Sequence, residues 1–373
     1  MKCRNHNQVV FIALIKAGLW EQDVCLSNYG EVDYEEVLRL AEEQSVVGLI
    51  AAGLEHVVDV KVPKEVALQF VGQALQLEQR NLSMNKFVGE LVEKLRKADV
   101  YTILVKGQGI AQCYERPLWR VCGDVDFFLS ESNYEKAKAF LTPIASSTEK
   151  EEQYGMHLGM SIVPWSVELH GTLRCGLSRR MDRVIDDTQY DVFYGGNVRS
   201  WMNENTEVFL PAPDNDVIFV FTHYIKHFYK EGISLRQICD WTRLLWTYRN
   251  TINRTLLEKR IRSAGLLSEW RAFASLAVNY LGMPTAAMPL YNDSGRWKRK
   301  ADHICDYVME VGNMWNNKNA AGIVDKPYLI KKTVSFGRKL KNLIRIARIF
   351  PNNTLFFFPY IVFNGVRSVV RGE

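Results

Sequence analysis

Residues 101–129 read YTILVKGQGIAQCYERPLWRVCGDVDFFL, and this stretch decides the fold. Tyr101 to Val105 is rich in β-branched and aromatic residues with no breaker, which predicts a strand entering a core. Lys106 and Gly107 end it. Gly107, Gln108 and Gly109 then predict a flexible turn into a short helix over Ile110 to Glu115, and the outward backbone N–H groups of such a corner suit a phosphate. A second strand is predicted at Asp124 to Leu129, with Asp124, Asp126 and Phe128 on one face and Val125, Phe127 and Leu129 on the other. Its two carboxylates lie roughly 7 Å apart along the backbone, at about 3.3 Å of rise per residue. They can therefore converge on one cation or a close pair, and Mg²⁺ takes sites of this kind.

The succession of strand, Gly-containing turn, short helix and Asp-x-Asp strand resembles the nucleotidyltransferase fold of the DNA polymerase beta type. The fuller string, Leu104-Val105-Lys106-Gly107, then Tyr114, then Arg120 through Asp124-Val125-Asp126 to Leu129, is similar to the bacterial group of uncharacterised nucleotidyltransferases. That group reads LKG, an aromatic, then R-x-x-x-D-[IV]-D and apolar residues. The Gly-Ser pair usual in the superfamily's turn is replaced here by Lys106-Gly107-Gln108. The resemblance implies an α+β protein, a small mixed β-sheet core flanked by N-terminal and C-terminal helical regions. It also implies transfer of a nucleoside monophosphate from a nucleoside triphosphate, ATP among them, to an acceptor hydroxyl, with two Mg²⁺ ions or Mn²⁺ in their place. Asp124 and Asp126 are then metal ligands and catalytic, and Lys106, Gly107, Gln108 and Arg120 are nucleotide-binding candidates. The acceptor, whether small molecule, protein or nucleic acid, is not readable from the fold.

A third carboxylate is expected on a later strand. In SIVPWSVELH, residues 161–170, alternation sets Val163, Trp165, Val167 and Leu169 on an apolar face and Ser166, Glu168 and His170 on a polar one. Glu168 is the candidate third ligand, and a base; the competing reading is an exposed Glu on an edge strand, favoured by Pro164. Lys106 reads either as a phosphate ligand or as a solvated strand-end lysine. Arg120 reads either as a guanidinium fork for the triphosphate or as an ion pair orienting Asp124.

The chain has 373 residues and a net charge of +5, too mild for its length to argue for nucleic acid by itself. Its seven cysteines are odd in number and contain no C-x-x-C, which predicts reduced thiols and a cytoplasmic protein. Lys2 and Arg4 precede Val9 to Ile15, but Lys16 interrupts the apolar run, so a helix is expected there in place of a signal peptide.

Four regions are expected. Residues 1–100 read as helices, with Asp33 capping one and with Val66, Phe70, Leu75, Leu82, Phe87, Leu91 and Leu95 as a buried stripe of another. Residues 101–212 read as the α/β core, including a helix over Glu131 to Leu141. Residues 213–320 read as a helical region closing the cleft, opened by Asp214 as a cap. His223 and His227 there share a face, but the Glu of H-E-x-x-H is missing, which excludes a zinc protease pattern. The resemblance suggests that His223, His227, Arg236 or Asp240 faces the nucleotide or second substrate; the alternative is a buried polar network between two helices. Residues 321–373 form a basic amphipathic helix, with seven lysines and arginines and no acid between Lys331 and Phe350, followed by the apolar run LFFFPYIVF at 355–363. This piece reads either as weak attachment to an anionic membrane surface, peripheral to it, or as a terminal helix docked on the body. Two other readings of the whole remain: a nucleotide-binding module without turnover, and a surface-associated interaction protein using its C-terminal helix.

Overall fold

The computed structural model describes residues 6–152, 156–312 and 328–371. Seven strands form one mixed sheet: β1 (Ile103–Val105), β2 (Asp124–Phe128), β3 (Ser147–Thr148), β4 (His157–Ile162), β5 (Trp165–His170), β6 (Val198–Asn203) and β7 (Thr206–Pro211), in the spatial order β3-β4-β5-β2-β1-β7-β6. β2 is antiparallel to β1 and parallel to β5. That register sets Asp124 opposite Ser166, Asp126 opposite Glu168 and Phe128 opposite His170. Because side chains alternate along each strand, residues so paired point to the same side.

The helices are α1 (His6–Trp20), α2 (Tyr34–Glu43), α3 (Val47–Glu55) and α4 (Lys64–Lys97) before the sheet, and α5 (Gly107–Ala111), α6 (Glu131–Leu141) and α7 (Arg179–Phe193) between its strands. After it come α8 (Pro213–Lys230), α9 (Leu235–Thr247), α10 (Arg254–Ala264), α11 (Leu267–Asn279), α12 (Gly295–Val311), α13 (Tyr328–Ala347) and α14 (Pro351–Arg371). Asp33 caps α2 as expected, accepting from the Glu36 N–H at 3.0 Å, and α6 buries Tyr134, Ala137 and Leu141.

Two apolar cores result. One lies under the sheet, where Val125, Phe127, Leu129, Val167 and Leu169 meet α4 and α6. The other joins α1 to α3 with α8 to α14. Buried Gln44, just after α2, ties the second core across the chain: its Oε1 accepts from the Leu235 N–H at 2.8 Å and its Nε2 donates to the Val308 carbonyl at 3.0 Å. Arg243 of α9 likewise donates to the Leu19 carbonyl at 3.0 Å. The N-terminal helices thus share their core with the C-terminal half.

Several local expectations are corrected. The stretch 161–170 is a hairpin of β4 and β5 turning at Val163-Pro164, with Val163 exposed, and β5 lies inside the sheet between β4 and β2. Leu75 and Leu82 of α4 are exposed while Ala74, Asn81 and Met84 are buried, a one-residue shift of the stripe. Asp214 lies inside α8, whose cap position is Ala212, and its carboxylate accepts from the Asn253 N–H. Gly107 to Gly109 belong to α5, which starts earlier than expected, and a Cβ on Gly109 would stand 2.7 Å from the Leu210 side chain, which would have to shift. The expected boundary at 320/321 lies outside the described residues. α13, α14 and the turn between them bury Leu343, Ile346, Ile349, Phe350, Phe357 and Ile361 on the body, while Leu340, Ile344, Leu355, Phe356, Phe358 and Phe363 stay exposed. Among the described residues no helix is long and apolar enough to cross a membrane, and none of the six described cysteines is paired in a disulfide.

Candidate carboxylate and histidine site

The site sits on the face of the sheet that emerges from under α7 and α8. Phe128 packs on Phe193 and Phe219 and closes one end. Two and four residues earlier on the same face stand Asp126 and Asp124. Asp126 is 1% exposed, Asp124 is half-buried, and Glu168 comes from β5 beside them. One oxygen from each of the three lies within 4.8 Å of the other two. Glu168 therefore faces the aspartate pair, as the alternation predicts.

Three carboxylates this close repel unless cations intervene. Asp126 and burial, with Glu168, push the Asp124 carboxyl up to about 6, against the opposing charges of Lys106 and Arg236. Lys106 Nζ donates to Asp126 Oδ1 at 2.7 Å. Burial alone would lower the lysine's pKa, but the charges of Asp126, Glu168 and Asp124 outweigh it and hold the ammonium protonated. The lysine reaches this position from a strained backbone: Lys106 has φ 58° and ψ −144°, and Gly107 follows at φ 34°. Such a conformation costs a non-glycine residue about 1–3 kcal/mol, and the contact with buried Asp126 offsets it. Lys106 is thus the site's internal cation.

Two histidines complete this face. His170 Nε2 lies 2.8 Å from Asp126 Oδ1 and 3.3 Å from Glu168 Oε2. His157, paired with it across the β4–β5 ladder, places Nε2 3.1 Å from the same Glu168 oxygen. Burial would raise the Glu168 pKa, but hydrogen bonds from His157 and His170 and the charge of Lys106 win and carry it well below the ordinary carboxylate range. His157 was not foreseen: one histidine in HLGMSI carries no signal until the register pairs it with His170.

The remaining candidates divide. On α8, His223 and His227 face each other with Nε2 atoms 3.1 Å apart, and His227 Nδ1 reaches Glu231 at 3.1 Å. Burial first, then the charge of Lys106, drives His223 well below its usual pKa, so it is a neutral imidazole near the site. Arg236 of α9 donates to the Val121 carbonyl at 3.2 Å, and its charge acts on Asp124. Arg120 and Asp240 are instead bound to each other: Nε and Nη2 donate to the two Asp240 oxygens at 2.8 and 2.7 Å, and Nη1 to the Val121 carbonyl. Tyr114 donates to Asp240 at 2.7 Å. With all three guanidinium nitrogens engaged and 5% exposure, Arg120 is turned to Asp240 in place of Asp124. It belongs to a buried network linking α9 to the loop before β2. Gln108 is also turned away, its 2% exposed amide donating to Asn81 of α4 at 3.0 Å.

This is an α+β protein with a carboxylate-centred site on one face of a mixed sheet. Its class becomes specific by comparison: residues 30–282 match the family described as uncharacterised nucleotidyltransferase, and the chain belongs to that family. Neither a curated protein nor a solved structure matches it.

Proposed function

We propose that the protein moves a nucleoside monophosphate from a nucleoside triphosphate to an acceptor hydroxyl, using a site of the DNA polymerase beta type. The observation that carries this reading is the convergence of Asp124, Asp126 and Glu168 within 4.8 Å on one face of the sheet, with Asp124 and Glu168 half-buried and Asp126 buried. An all-oxygen set suits Mg²⁺, or Mn²⁺, and the elevated pKa of Asp124 marks negative charge in want of a second cation. Asp124 and Asp126 would hold two ions and Glu168 one. When bound, such ions screen the triphosphate and lower the pKa of the acceptor hydroxyl.

The chain's own groups do the rest. Lys106, at the strained corner with Gly107, and Arg236 place positive charge where the polyphosphate would lie. The acceptor oxygen attacks the α-phosphorus, the bond to the β-phosphate oxygen breaks, and pyrophosphate leaves. Glu168, its pKa depressed by two imidazoles, acts as a ligand and is too weak a base for the hydroxyl proton. His223, a neutral imidazole whose pKa is also driven down, is likewise a weak base, so the hydroxyl proton leaves to water. Within this reading residues 101–212 form the nucleotide-binding core, and the regions 1–100 and 213–320 wall its cleft.

The test is pyrophosphate release from each nucleoside triphosphate with Mg²⁺ across an acceptor panel. We expect turnover in the native protein and none in Asp124→Asn or Glu168→Gln. Nucleotide binding without release across the whole panel would favour the module without turnover, and turnover surviving in either variant would end the carboxylate assignment.

We also propose weak contact with an anionic membrane surface through the C-terminal helices. Leu355 and Phe363 are 74% and 66% exposed on α14, and α13 carries Lys339, Lys341 and Arg345 with no acid, followed by Arg348 in the turn to α14. Exposed aromatics beside lysine and arginine suit a charged interface. Co-sedimentation with phosphatidylserine vesicles at low salt should be lost in Leu355→Asp/Phe363→Asp, and absence of binding by the native protein would remove the idea.

A further inference from the structure

The carboxylates adjoin a second donor set that no nucleotidyl-transfer chemistry requires: the imidazoles of His157 and His170 on either side of Glu168. They come from a β-hairpin in which His157 pairs with His170 and Gly159 with Glu168. All three side chains therefore project to one side. His157 Nε2, Glu168 Oε2 and His170 Nε2 lie within 4.8 Å of one another, the two nitrogens at 3.1 and 3.3 Å from the oxygen. Asp126 Oδ1 is 2.8 Å from His170 Nε2 on the flank. Bonds of about 2.0–2.2 Å from a central ion to nitrogen and oxygen place neighbouring ligands about 3.0–3.4 Å apart. The donors already stand near that spacing.

Ligand chemistry decides which ion. Imidazole nitrogens suit Zn²⁺, Fe²⁺, Co²⁺ and Ni²⁺, whereas Mg²⁺ takes oxygen. Side chains of His157 and Glu168 are 27% and 29% exposed, so an ion has an entry path and a coordination position facing solvent. That is the pattern of a catalytic metal centre, in contrast to a closed structural one.

We propose that His157, Glu168 and His170, with Asp126 beside them, bind a divalent first-row transition metal ion at a position distinct from the three-carboxylate site and sharing Glu168 and Asp126 with it. The competing account is that the imidazoles serve only as hydrogen-bond donors that orient Glu168. The proposal does not need nucleotide turnover, so the two can fail separately.

The test is titration of the metal-free protein with Co²⁺ in a large excess of Mg²⁺, followed by the ligand-field absorption of bound cobalt. We expect one tightly bound Co²⁺ that Mg²⁺ does not displace. His157→Gln keeps a side chain able to donate to Glu168 but loses the imidazole ligand, so it should weaken cobalt binding by at least about 10–100-fold, as lost metal-site groups do. His170→Gln should do the same, and Asp124→Asn should leave the spectrum in place. Thermal melts check that each variant is folded. Absent cobalt absorption, displacement by Mg²⁺, or unchanged binding in folded His157→Gln would each overturn the proposal, whatever the pyrophosphate assay returns.

Discussion

Replacing Asp124 by Asn should stabilise the metal-free protein, against the usual direction for a site substitution. Without metal, Asp126, burial and Glu168 together raise the Asp124 pKa from 3.8 to about 6. A folded-state pKa above the unfolded one means that the native state binds the proton more tightly. This contribution is therefore fully present below pH 3.8 and is lost as pH rises through 6. Above that, ionised Asp124 costs the fold about 3 kcal/mol at about 1.4 kcal/mol per pH unit, or about 2 kcal/mol after solvent screening of a partly exposed group. Asn has the shape of the protonated acid and no charge. With about 2 cal/mol/K of unfolding entropy per residue, a chain of this length gains about 1.3 °C for each kcal/mol. The expected rise is about 2.5–4 °C near pH 8, about half that near pH 5, and next to nothing below about pH 3. Differential scanning fluorimetry in EDTA reads this directly, and excess Mg²⁺ should reverse the order by stabilising only the native protein. An unchanged or lower melting temperature for Asp124→Asn in EDTA near pH 8 would refute the repulsion on which the site's affinity for cations is argued.

Asp126→Asn should behave oppositely. Its carboxylate is buried between Lys106 and His170, and hydrogen bonds to charged groups are worth about 1.5–3 kcal/mol each, so the melting temperature in EDTA should fall; a rise would mean that repulsion dominates at Asp126 too. Asp240→Ala should strand the Arg120 guanidinium in the interior at about 3–5 kcal/mol, read as a lower urea midpoint with an unchanged slope. If Asp240→Ala were neutral in stability but impaired nucleotide binding, Asp240 would belong to the substrate and not to the network.

The strand bearing the aspartates was legible because its alternation is strict and its apolar face is fully buried; Val125, Phe127 and Leu129 leave Asp124 and Asp126 no other side to occupy. Glu168 was legible for the same reason. What escaped is long-range pairing. Arg120 finds Asp240 across 120 positions, and no local pattern says whether a guanidinium will meet a substrate or a carboxylate from its own chain. Gln108 likewise looks like a loop residue until α5 turns it onto Asn81. Asp126 itself reads as one of two equivalent acids, and only the contacts of Lys106 and His170 distinguish it from Asp124.

The shared core of the first and last helices has a consequence for synthesis. As the chain leaves the ribosome, Phe11, Leu14 and Ile15 of α1 have α3 to pack on, but Leu235 and Val308, the residues that Gln44 will hold, have not yet been made. The amino-terminal helices must wait with apolar surface uncovered through some two hundred codons, and a prematurely terminated product lacking α9 to α12 would be a natural client for chaperones and proteases.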